Sequence, residues 1–215
     1  WQAAAFADIQ PTDTVAVWGC GPVGLFTVLS AILQGARRVI AIDDVPERLA
    51  MARQLGAEVI DRSQTKVLPT LKEMTGGHGP EKCIDAVGIE AHGPTPLLEL
   101  IDRTQTALKL ETERPVALRE AIMACKAAGT VSVPGVYGGL SNMIPMGALM
   151  NKGLTLRTGQ THVRRWSDDL LRRLDEGEID PTFLITHTEP LGRGPEMYDL
   201  FAEKRDGCVK VVLKP

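Results

Sequence analysis

Between Thr14 and Ala36 the sequence TVAVWGCGPVGLFTVLSAILQGA contains no charged residue, and the placing of its glycines decides what it can become. A membrane-spanning helix needs about 20 uninterrupted apolar residues. Here Gly19, Gly21, Pro22 and Gly24 cut the run in two. Val15 to Trp18 is short, apolar and partly β-branched, which suits a strand buried on both faces. Pro22 to Gln34 carries proline in its first turn and Gly35 just past its end, the punctuation of a helix. The prediction is a strand, a glycine turn and a helix in succession, with no membrane span.

The same alternation continues. Strands are predicted at Arg38–Asp43, Glu58–Ile60, Lys82–Val87 and Thr130–Pro134, and helices at Pro46–Leu55, Lys66–Met74 and Val116–Ala127. Strands alternating with helices imply an α/β fold built on a parallel sheet, because parallel neighbours need long right-handed crossovers. Two sections depart from the scheme. Glu90 to Pro115 is longer than an ordinary connection and includes a possible helix at Pro96–Leu110. Beyond Leu154 the order becomes a helix at Arg164–Asp175, a strand at Pro181–Thr186, a helix at Gly194–Lys204 and a strand at Cys208–Leu213. We therefore expect a first unit over residues 1–162 and a C-terminal tail over 163–215.

Composition narrows the partners. The chain has 24 Lys+Arg against 27 Asp+Glu, so no basic field invites nucleic acid. The charge-dense stretch Arg164 to Arg173 sets opposite charges four residues apart, with Trp166, Leu170 and Leu174 on another face, as a solvated amphipathic helix would. Cys20, Cys83, Cys125 and Cys208 are scattered, and buried free thiols in a reducing compartment are the simplest reading. No CxxC or HExxH occurs and the four histidines are far apart, so no metal site is expected in this chain alone. With no charged leader before an apolar core, a cytoplasmic location is expected.

Gly19-Cys-Gly-Pro-Val-Gly24 has the spacing G-x-G-x-x-G. The first glycine permits the tight turn, the second lets backbone approach a pyrophosphate, and the third lets the helix pack on its strand. Unpaired amides and the partial positive charge of the helix N-terminus then face the phosphates. Alone the pattern says little. Here it joins a strand to a helix, and Asp43 ends the next strand about 20 residues on, the context that the dinucleotide-binding fingerprint requires. This is the doubly wound Rossmann arrangement. A carboxylate at Asp43 accepts from an adenosine ribose and repels a 2′-phosphate, so NAD is favoured over NADP, and Asp44 adds to the repulsion. Arg48, one turn into the following helix, is open to two readings, a surface arginine or a lid over the adenosine.

Six stretches in order, VAVWGCGPVGL, RVIAIDDVPERLAMARQLGAEVID, CIDAVGIEAHG, GTVSVPGVYGG, LTLRTGQTHV and DGCVKVVLKP, resemble the cofactor half of the zinc-containing medium-chain alcohol dehydrogenases, the formaldehyde dehydrogenase-like branch above all. The resemblance implies that Gly19, Gly21, Pro22, Val23 and Gly24 cradle the pyrophosphate, that Asp43 holds the ribose, and that Arg48 flanks it. It implies that backbone at Val87 and Gly88 lies near adenine and ribose, and that Pro134, Gly135 and Val136 position the nicotinamide carboxamide. Gly159, Gln160 and Thr161 would close the nicotinamide side, and Lys210 would reach the pyrophosphate. The segment from Glu90 to Pro115 is similar to an insertion that covers the adenine in that branch.

By the same resemblance the zinc and its ligands belong to a domain preceding Trp1, so no catalytic or metal-binding residue is nominated here. The implied parent transfers hydride from a small-molecule alcohol or hydrated aldehyde to NAD and forms a homo-oligomer. The cut-off tail should expose Trp166, Phe183, Leu184 and Ile185. A stand-alone dinucleotide-binding sensor without chemistry is the alternative.

Overall fold

Strand β1 (Thr14–Trp18) is buried at every position, and its side chains divide between two cores by simple alternation. Val15 and Val17 join a cluster with Leu25, Val28, Val39 and Ala41. Ala16 and Trp18 join the opposite cluster with Ile40, Ile42, Leu71 and Ile122. A strand with both faces covered must be apolar throughout, which is why the charge-free run begins here.

The computed structural model describes residues 1–88, 112–113, 115–137, 140–141 and 143–215. The predicted helix at Pro96–Leu110 and most of the segment between Glu90 and Pro115 lie outside the described residues. Around β1 run β2 (Arg38–Asp43), β3 (Glu58–Asp61), β4 (Lys82–Asp85), β6 (Thr130–Val133) and β8 (Thr155–Thr158). They form one sheet in the order β3-β2-β1-β4-β6-β8, with all five pairings parallel. Helices α1 (Gln2–Ala7), α2 (Pro22–Leu33) and α3 (Pro46–Gln54) contribute to one cluster. Helices α4 (Val67–Met74), α5 (Val116–Ala124) and α6 (Met146–Lys152) contribute to the other. A further two-residue pair joins β5 (Thr112–Glu113) to β7 (Leu140–Ser141). The predicted α/β doubly wound class is the one observed.

The sheet is stitched at its lower end by Glu81, whose carboxylate accepts from the Thr14 amide at 2.9 Å and the Lys126 ammonium at 2.8 Å. Burial pushes this carboxyl up, but Lys126 and the Thr14 amide outweigh it and hold it below the usual carboxylate range. A depressed folded-state pKa gives stability that is present above the unfolded value and is lost as pH falls through the folded one. Glu81→Gln is therefore expected to cost about 1 kcal/mol in urea unfolding at neutral pH, a deficit that shrinks as pH falls below the ordinary carboxylate range and the wild-type carboxyl itself takes up a proton.

The tail differs from expectation in two ways. Pro181–Leu184 is a 3-10 turn rather than a strand, because Asp180 accepts from the Thr182 amide and proline opens the turn. The strand is β9 (His187–Pro190), which lies between helices α7 (Val163–Asp175) and α8 (Gly194–Ala202) and pairs in parallel with β10 (Val211–Lys214). Leu184 is not exposed: at 3% it is buried in the α1–α3 core with Val209, and Phe183 meets Phe26 edge-on at 5.5 Å. Trp166 is half-buried, donating to Gln2 Oε1 at 3.2 Å. Only Ile185 stays exposed as expected. The charged stretch of α7 is the predicted solvated face, with Arg172 and Arg173 both paired to Asp169.

Candidate functional site

The glycine turn leaves the C-terminal end of β1, where the strand order reverses between β1 and β4 and a crevice opens. Gly19 has φ +88° and donates its amide to the Ile42 carbonyl at 2.8 Å. A Cβ on Gly24 would stand 1.8 Å from the Gly19 carbonyl oxygen, so the first turn of α2 lies against the strand end with no room for a side chain. Gly21 is different. It caps α2 at an ordinary φ of −68°, no side chain caps the helix, and a Cβ there would meet nothing nearer than Arg48 Nη1 at 4.0 Å. The cradle at Gly21 is thus open toward solvent while those at Gly19 and Gly24 are closed by the protein itself.

Asp43 sits behind the turn. One carboxylate oxygen accepts from the Cys20 amide at 2.5 Å, and the other from the Asp44 and Val45 amides at 2.8 and 2.9 Å. A carboxylate offers about four acceptor positions, so one remains for an incoming hydroxyl. Burial and the adjacent Asp43 charge push the Cys20 thiol far above its ordinary range, with Arg48 opposing, and this leaves it a neutral, unreactive packing group. Arg48 Nε is buried and has no hydrogen-bond partner among the described residues. An orphaned guanidinium donor beside an uncapped helix N-terminus is a fitting arrangement for an anionic group.

Across the crevice, Val87 and Gly88 follow β4, and Pro134, Gly135 and Val136 follow β6. A Cβ on Gly19 would lie 2.8 Å from Val87 Cγ2, and one on Gly135 would lie 2.5 Å from the Gly88 amide nitrogen. The two turns therefore abut through backbone, and the first of them borders the glycine loop. Val23 and Val136 are more than half exposed at 56% and 58%, apolar surface presented to the crevice. A cavity of about 360 Å³ brings Val23, Thr27, Ser132 and Pro134 together with Gly159 and Thr161. Gln160 is not in its lining, but its carbonyl accepts at 3.1 Å from Nε2 of Gln2, which is. Lys210 is exposed and borders a separate groove of about 240 Å³ that also touches Pro22.

Two residues of this constellation escape the sequence reading. Asp85, the last residue of β4, is fully buried and ties both turns together, and Tyr137 donates to it at 2.6 Å. The signal was an acid inside an otherwise apolar strand, which must have partners to be buried at all. Among the described residues, no group of three or more His, Cys, Asp or Glu is placed to hold a metal ion, and no helix is long and apolar enough to cross a membrane.

The family described as zinc-binding dehydrogenase matches residues 22–95. Over 211 residues the chain is 38% identical to an uncharacterized zinc-type alcohol dehydrogenase-like protein, AdhB, of Bacillus subtilis, covering 97% of this chain and 54% of the relative. The chain belongs to the zinc-type alcohol dehydrogenases. The chain is also 30% identical over 188 residues to a glutathione-independent formaldehyde dehydrogenase of Pseudomonas aeruginosa, covering 81% of this chain and 44% of that relative. An alcohol dehydrogenase of E. coli CFT073, solved in complex with the cofactor NADH, superposes with a TM-score of 0.76 at 26% identity, over 99% of this chain and 56% of that one. The chain spans about half the length of the curated zinc-type alcohol dehydrogenases it matches.

Proposed function

We propose that this chain is the NAD-binding part of a zinc-type dehydrogenase whose parent oxidises an alcohol or a hydrated aldehyde of the formaldehyde type. The observation that carries the reading is the Asp43 carboxylate held 2.5 Å behind the Gly19–Gly24 turn, with an acceptor position to spare. When bound, NAD supplies a hydride acceptor, and a zinc ion held by residues outside this chain supplies a Lewis acid for the substrate oxygen.

The chain's own residues do the holding. Gly21, Pro22 and Val23 offer the α2 N-terminus to the pyrophosphate, with Gly19 and Gly24 fixing the turn and Arg48 and Lys210 adding positive charge on either side. Asp43 takes a ribose hydroxyl, and the turn at Val87 and Gly88 flanks the adenosine. Pro134 to Val136 meet the carboxamide through backbone, while Gly159, Gln160 and Thr161 close that side. The apolar lining of the cavity between them excludes water from the hydride path. In this reading residues 163–215 pack against a catalytic domain of the parent, and β8, exposed at all four positions on the sheet edge, is where copies of the parent associate.

Calorimetric titration with NAD and NADP in parallel tests the reading. NAD is expected to bind at least about tenfold more tightly, since a 2′-phosphate beside Asp43 and Asp44 costs on the order of 1–3 kcal/mol. Equal affinities would remove Asp43 as selector. A folded chain that binds neither nucleotide would refute the proposal.

A further inference from the structure

Asp85 receives hydrogen bonds from both turns that border the crevice. Its Oδ1 accepts from the Val87 and Gly88 amides at 3.0 and 3.1 Å, and its main-chain carbonyl accepts from the Gly135 amide at 2.9 Å. Its Oδ2 accepts from the Tyr137 hydroxyl at 2.6 Å. Only a carboxylate can serve three side-chain-directed donors at once. The ring of Tyr137 packs against the core cluster that contains Trp18 and Val133, so the hydroxyl is delivered from inside the protein.

This arrangement brackets Val136. Gly135 is tied on one side, Tyr137 on the other, and the exposed residue between them spans two fixed points. Neither turn has a side chain at the contact, since a Cβ on Gly88 would lie 2.6 Å from the Val136 nitrogen. Backbone packing sets how close the turns come. The tyrosine bond then sets where the second turn ends.

We propose that the Tyr137–Asp85 hydrogen bond is a latch that pre-organises the turn after β6 for the nicotinamide end of the dinucleotide. Tyr137 is thus a positioning residue, acting through the Gly135–Val136 backbone. The inference rests on the NAD-binding reading. Without the hydroxyl, the turn loses one of its described tethers and keeps the one at Gly135, and part of the ordering cost moves from folding to binding.

Asp85→Ala would orphan three donors, one of them buried, and cannot separate positioning from folding, so the informative variant is Tyr137→Phe. The chain and this variant would be titrated with NAD and with ADP-ribose, which lacks the nicotinamide, and their thermal melts compared. We expect NAD to weaken about fivefold and ADP-ribose less than about twofold, because only the nicotinamide end meets the loosened turn. Equal weakening for both ligands would mean a merely structural tyrosine, and unchanged NAD affinity would mean no latch. Either result overturns the proposal. If the wild-type chain bound neither ligand, the NAD reading itself would fall and the latch with it.

Discussion

Gly24→Ala is expected to lower stability by about 3–5 kcal/mol and to abolish dinucleotide binding, whereas Gly21→Ala costs less than about 1 kcal/mol. The two glycines belong to one motif, yet they meet different things. A methyl at Gly24 would lie 1.8 Å from the Gly19 carbonyl oxygen and 2.7 Å from its carbon, both backbone atoms of a turn already fixed to β2. Relief would require α2 to lift off the end of β1. At Gly21 the methyl has open space, so the deficit of Gly21→Ala should appear in NAD affinity alone. Urea unfolding with NAD titration of both variants gives the comparison. A stable Gly24→Ala chain would show that the close contact is relaxed at low cost.

Asp43→Ala is the second large effect. The carboxylate holds the Cys20, Asp44 and Val45 amides, and removing it leaves three donors at the mouth of the crevice, one of them buried. A loss of about 3 kcal/mol in stability is expected from bonds to a charged acceptor. NAD affinity should fall by about 100-fold, through the lost ribose acceptor and the loosened glycine turn, and the preference over NADP should shrink toward unity. Chemical denaturation and paired titrations separate these contributions. If stability fell while the preference for NAD persisted, Asp43 would be a structural cap and the selector would lie elsewhere.

The central strands were legible because burial on both faces leaves an unmixed apolar pattern, as in Val15–Trp18 and Val39–Ile42. β8 was not read, because Thr155–Thr158 is exposed at all four positions and its sequence TLRT shows neither alternation nor an apolar run. The tail strand was misplaced for the opposite reason. Pro181-Thr-Phe-Leu-Ile-Thr186 has strand-like residues, but Asp180 captures the Thr182 amide and turns the chain before β9 begins. At the site, the glycine spacing and Asp43 were visible in sequence, since each needs a particular residue at a particular offset. Asp85 and Tyr137 were not, because their meeting depends on two strand ends 52 positions apart being neighbours in space.

The parallel topology also dictates an order of assembly. β1 cannot complete its pairing until Lys82–Asp85 has been synthesised, and β4 must wait in turn for Thr130–Val133. The short helix α1 waits as long: the Ala3 carbonyl accepts from Ser132 Oγ, and Gln2 from the His162 amide. On the ribosome, where the chain emerges at about 5–20 residues per second, the apolar stretch of β1 and α2 therefore stays without its final neighbours for many seconds. The interval between its emergence and closure of the sheet is when its apolar surface is most open to association with other chains.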